Sequence, residues 1–218
     1  YGASWGDVFT SLSLQNRARF GVLPDMAGGL GLGFGNAQKW VGIEVGYAMF
    51  DMHTIFPWSS AGALNLKIHH LFKGGLAAAI GSINLLQWLG GDTGRTFYGV
   101  VSKAFFLSPS ESDPFSLLFL HFGLANGNFQ SQEDIRAGRN NFNWFASAGL
   151  RVIRPLSVIV NWYGSDLGVG VSITPFRRFR LVLTPNIQDL TGTAGNGLRF
   201  MMAVSFADNF QSPHFILR

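Results

Sequence analysis

Cysteine is absent from the sequence, which excludes a disulfide framework, a thiolate metal site and a thiol nucleophile. No run of eighteen apolar residues occurs either, so the chain has no segment suited to cross a bilayer as a helix. Charge is scarce: Asp, Glu, Lys and Arg make up 13% of the residues, and 16 Lys and Arg against 12 Asp and Glu leave a net +4. No basic run with interleaved aromatics accompanies that charge, so no nucleic-acid partner is expected. At Tyr1 there is no basic region followed by an apolar one, and the chain reads as a mature or trimmed export product.

Glycine and phenylalanine are abundant instead, with 28 and 21 copies in 218 residues. The glycines follow no collagen period, and the apolar fraction is too high for a disordered chain. Period-two alternation recurs along nearly the whole length. It predicts strands over 8–17, 26–35, 39–50, 63–72, 75–86, 95–106, 115–126, 142–153, 156–163, 167–174, 179–186 and 198–207. Val41, Ile43, Val45, Tyr47 and Met49 alternate with Gly42, Glu44, Gly46 and Ala48. Leu30, Leu32 and Phe34 alternate with Gly29, Gly31, Gly33 and Gly35, and Leu198, Phe200, Met202, Val204 and Phe206 with Arg199, Ala203, Ser205 and Ala207. One face is large and apolar, the other small, polar or charged.

A soluble sandwich also alternates, so loop lengths carry the next step. Connections 2–3, 4–5, 8–9 and 10–11 are tight; 3–4, 5–6, 7–8 and 11–12 are longer, and the longest runs from Gly127 to Asn141. Short turns at one end and long loops at the other are expected of an outer-membrane meander barrel. The expectation is therefore all-β: a single closed antiparallel up-and-down transmembrane barrel of about twelve strands, ten or fourteen being the alternatives, in one domain over residues 1–218, with both termini periplasmic. Closure follows from hydrogen bonding, because unpaired strand edges in hydrocarbon cost several kcal/mol per group. Trp40, Trp58, Trp88, Trp144 and Trp162 fall near strand ends, where aromatic girdles belong. The strand at 75–86 changes parity near Ser82, as at a bulge.

On this assignment the lumen is lined by Arg17, Glu44, Lys67, His69, Lys103, His121, Arg151, Arg180 and Arg199, with neutral polar company that includes Asn65, Ser147 and Asn161. Six of these nine are Arg or Lys, a wall that would concentrate anions. The expected function is a passive channel for small anionic solutes. A barrel with a filled lumen, in which Glu44 pairs with Lys67 or Arg17, is the alternative, and a self-associating soluble β protein is a third. No catalytic residue, cofactor or metal site is predicted. Gly31-Leu-Gly-Phe-Gly35 lacks the context of a dinucleotide loop, His69 and His70 face opposite sides of one strand, and His121 and Ser116 differ in parity. Glu133, Asp134, Arg136 and Arg139 mark the longest loop as a constriction or an external surface. The expected partners are membrane lipid or lipopolysaccharide, small anionic solutes, surface polysaccharide or other envelope proteins, and a second copy of the chain.

The alternation, the asymmetric connections and the last strand, Leu198-Arg-Phe-Met-Met-Ala-Val-Ser-Phe206, resemble the bacterial outer-membrane barrel (porin-like) superfamily. Gly28 to Asn36, Lys39 to Asp51 and Tyr98-Gly-Val-Val-Ser-Lys103 are also similar to segments of the YjbH-like envelope barrels. That second resemblance implies a role in export or organisation of exopolysaccharide and carries over no catalytic residue. The chain departs from the usual barrel ending, since Asp208 to Arg218 run past the last strand.

Overall fold

The computed structural model describes residues 2–19, 21–50, 61–88, 94–110, 112–176, 179–195 and 197–211. Twelve strands follow one another: β1 (Asp7–Gln15), β2 (Asp25–Gly35), β3 (Gly42–Met49), β4 (Gly62–Leu71), β5 (Leu76–Trp88), β6 (Thr96–Phe106), β7 (Leu117–Ala125), β8 (Asn143–Ile153), β9 (Leu156–Trp162), β10 (Leu167–Ile173), β11 (Leu181–Gln188) and β12 (Arg199–Asn209). Each pairs antiparallel with its sequence neighbours, and β1 pairs with β12 from Asp7↔Asn209 to Gln15↔Met201, so the sheet closes into a barrel with no free edge. A helix of one turn, α1 (Gln132–Arg136), lies in the β7–β8 loop.

Side-chain parity sorts the two faces as the alternation predicts. Ile80, Phe122 and Phe200 stand outward and are 63%, 57% and 56% exposed. Aromatics gather at both ends of this exterior. At the loop end Trp144 stacks on Trp162 at 5.3 Å, and Tyr47 stacks on Trp88 at 5.3 Å. At the turn end Trp40 is exposed, and Phe179 packs on Phe206 at 5.0 Å. Trp58 lies outside the described residues.

Two irregularities have local causes. The β4–β5 register moves from Leu66↔Ser82 to Leu64↔Leu86, so β5 carries two more residues than its partner there. Asn84 turns through φ 58° at that point, and its backbone N–H donates to the Asn65 side chain at 2.8 Å. The expected parity change is therefore a bulge, and β5 presents the same faces on either side of it. The β10–β11 ladder is interrupted between Gly170↔Asn186 and Ile173↔Leu183, where Pro185 has no N–H to give.

Candidate functional site in the barrel lumen

Inward glycines leave room that neighbouring groups occupy. A Cβ on Gly31 would lie 2.1 Å from the Phe9 ring, one on Gly123 2.4 Å from the Phe145 ring, and one on Gly81 2.5 Å from the Tyr98 hydroxyl. Residues 2–4 fold into the turn end of the lumen: the Ala3 N–H donates to Glu44 Oε2 at 3.0 Å, and a Cβ on Gly33 would sit 2.2 Å from the Ser4 carbonyl oxygen. The small face of β2 therefore receives a ring and a piece of backbone.

Space remains on the β4–β9 side. A cavity of about 610 Å³ runs from Asn36 and Gln38 at the turn end to Phe129, Phe145 and Tyr163 at the loop end. A second, of about 270 Å³, reaches from Leu117, Arg151 and Ser172 to His121 and Ser147, which line both. Cross-strand register arranges the wall in rows. One runs Glu44↔Lys67↔Gly81↔Tyr98, the next His69↔Ala79↔Val100↔Gly123↔Phe145, and the third Ala77↔Ser102↔His121↔Ser147↔Asn161. Lys67 donates to Glu44 at 3.0 Å, and His121 Nδ1 is 2.7 Å from the Ser102 hydroxyl. The charged and titratable groups lining the two spaces are Lys67, His69, His121 and Arg151 together with Tyr98 and Tyr163, and no carboxylate lines either.

The loop end is capped by a buried cluster of four charges. Arg199 pairs with Asp166 at 2.5 Å, both under one-tenth exposed. Asp166 also accepts from the Asp189 N–H, and Asp189 accepts from the Ala194 N–H at 3.0 Å. Arg19 reaches across to the Asn128 carbonyl at 3.2 Å and the Ser165 hydroxyl at 2.5 Å, and burial pulls its pKa down. Burial likewise pushes up the neighbouring Tyr163 phenol. Four loops are thereby tied over the mouth.

The charged loop folds on itself. Ser131 caps α1 by accepting from the Asp134 N–H at 3.1 Å. The Asp134 carboxylate accepts from Arg139 Nε at 2.8 Å and Asn141 at 2.9 Å, and Arg139 reaches Glu133 at 3.1 Å. Arg139 first, then Ser131, draw the Asp134 carboxyl down to about 2. A carboxyl depressed in the fold stabilises it above its ordinary range, and this contribution fades as pH falls from about 4 to about 2. Pepsin digestion, normalised to an unfolded peptide, should show cleavage within 126–142 rising over that interval; equal cleavage at pH 4 and pH 2 would contradict the clasp. What this loop sends into the lumen is Phe129, whose ring packs 4.7 Å from Phe145 and 5.9 Å from Tyr163.

Of the nine predicted lumen residues, the strands bring Glu44, Lys67, His69, His121, Arg151 and Arg199 inward. Arg17 sits beyond β1, donating to the Gly197 and Leu198 carbonyls at the loop rim. Arg180 precedes β11 at the turn rim, exposed, with Asp208 at 3.8 Å. Lys103 is a correction: it pairs with the outward Leu76 and Leu120. Its amine donates to the Gly74 carbonyl at 2.8 Å beside the Phe105 ring. A long cation near a strand end can reach the barrel rim with its stem along apolar surface, so its charge is no guide to face. Tyr98, Phe129, Tyr163 and Arg19 were not anticipated. Tyr98 follows once Lys103 is outward; Arg19 lies in a loop, where no period marks direction. His69 and His70 do face opposite sides, His70 Nδ1 donating to the Trp40 carbonyl. Among the described residues no three His, Cys, Asp or Glu groups converge as a metal site.

The chain is similar in fold to a solved structure of the NanC porin, with a TM-score of 0.53 over 93% of this chain and 98% of that one at 7% identity. It also matches the Acinetobacter baumannii outer membrane protein Omp33, with a TM-score of 0.49 over 92% and 97% at 8% identity. At such identities the likeness is one of fold, a closed antiparallel barrel. No protein-family model and no curated protein matches by sequence, so the likeness to YjbH-like barrels stays at the strands quoted for it.

Proposed function

We propose that the protein is an outer-membrane barrel, short turns and termini toward the periplasm, that passes small anionic solutes through the lumen. The observation that carries this reading is the lining of the two joined spaces, which holds Lys67, His69, His121 and Arg151 and no carboxylate. Such a wall favours anions and disfavours cations. The apolar exterior with aromatics at both ends supports the membrane setting, where lipid and lipopolysaccharide would be its contacts. Single channels in a planar bilayer under a KCl gradient should reverse toward the chloride potential. Reversal toward potassium would overturn the anion reading.

A second reading, a structural barrel with a closed lumen, is favoured by residues 2–4 inside the turn end and by Phe129 at the loop end. It expects no conductance from correctly inserted protein.

A further inference from the structure

His69 is 5% exposed and lines the 610 Å³ cavity, and Gly2 packs over its ring, a Cβ there falling 2.7 Å from each ring nitrogen. A buried polar ring is costly unless its nitrogens are met by a partner, water or a ligand, and among the described residues no side chain bonds to them. What surrounds it is ordered by register. Along its own row the wall continues as Ala79, Val100 and then the Phe145 ring, which covers Gly123. From Ala79 to Gly123, under the Phe145 ring, this apolar strip spans two strand spacings, roughly 10 Å along the wall. In the adjacent row lies Lys67, with the Tyr98 hydroxyl laid over its register partner Gly81. Glu44 accepts from both the amine and the Ala3 N–H, and does not line the cavity. A cation and two further hydrogen-bonding groups thus stand at one end of an apolar strip that finishes on an aromatic face.

We propose that this cavity is a binding site for organic monoanions with an apolar body, arylalkyl carboxylates above all. The carboxylate sits at Lys67, His69 and Tyr98 and the ring or chain lies on Ala79, Val100 and Phe145. The proposal rests on the channel reading for its direction of use, and it goes beyond that reading in naming the solute class and a saturable site. Polar recognition at one end and a dry wall at the other is the general form of a small-molecule pocket. A bare inorganic anion uses only half of it.

Calorimetry on the detergent-solubilised protein with 3-phenylpropionate tests this, with acetate and 3-phenylpropylamine as comparisons. Saturable one-to-one binding of 3-phenylpropionate is expected, with acetate at least about tenfold weaker, since it forgoes the apolar contact, and with no binding of the amine. Ala79→Leu, which fills the strip, and His69→Gln, which alters the polar end, should each weaken binding about tenfold or more. Heat-modifiable gel mobility shows whether each variant remains a barrel, so failure of one to fold leaves the other as the test. Equal binding of acid and amine, no saturation, or wild-type affinity in a folded variant would overturn the site. Binding in detergent without conductance in a bilayer would overturn the channel and keep the site. Conductance without saturable binding would do the reverse.

Discussion

Replacing Arg199 with leucine is expected to destabilise the barrel more than any other single change considered. The substitution leaves Asp166 buried without its cation, in a cluster where Asp189 is already almost fully enclosed. Breaking a buried pair from one side costs about 3–5 kcal/mol. For a domain of this size that corresponds to a fall in midpoint of roughly 10 °C. Barrels unfold slowly, so the rate of loss of heat-modifiable mobility at fixed temperature is the safer readout. The double variant Arg199→Leu with Asp166→Asn removes both charges and should recover much of the loss, because the penalty comes from the stranded carboxylate. Equal stability of Arg199→Leu and the wild type would mean that the mouth cluster does not hold the loops.

The second large effect is on ion selectivity. Lys67 and Arg151 are the long-chain cations lining the two spaces, one from β4 and one from β8. A unit charge about 7 Å from an ion in a water-like dielectric is worth about 0.6 kcal/mol, roughly a factor of three, and it acts with opposite sign on anion and cation. Changing both residues to Gln should therefore lower the anion-to-cation permeability ratio about fivefold or more at low ionic strength. The effect should shrink at high salt, where the charges are screened. Glu44 sharpens the expectation: with Lys67 gone its carboxylate is unmasked at the wall, so Lys67→Gln alone should move selectivity more than Arg151→Gln alone. Reversal potentials on the two single variants and the double distinguish these outcomes. An unchanged ratio in the double variant would place the conducting path elsewhere.

The order of the twelve strands was legible because each apolar side chain at period two must face lipid or a neighbour, and a slip of one residue would invert a whole strand. That constraint acts on every residue of β2, where Leu30, Leu32 and Phe34 leave no choice of face. It acts weakly on β6, where Thr96, Tyr98, Val100 and Ser102 differ little in polarity from Phe97, Gly99, Val101 and Lys103. A single charge then misdirected the reading of that strand. Glu44, Lys67 and His69 share the face that alternation assigns them, but the Ala3 contact of Glu44 and the burial of His69 depend on residues 2–4, which carry no periodic signal. The mouth cluster was illegible for the same reason. Arg19, Asp166 and Asp189 lie outside the strands and meet only because the barrel closes. Phe129 is likewise directed by a loop backbone that turns through φ 55° at Gly127, not by alternation.

The central claim is that the apolar face lies in lipid while the opposite face lines a wet lumen. The absence of cysteine makes it directly testable by single cysteine substitutions in vesicles. Ile80, Phe122 and Phe200 report the outer face, and Ser102, Ser147 and Asn161 the inner one. A small, membrane-impermeant sulfonate thiol reagent should modify the three inner cysteines and leave the three outer ones unreacted. Reaction at the outer positions with silence at the inner ones would contradict the account.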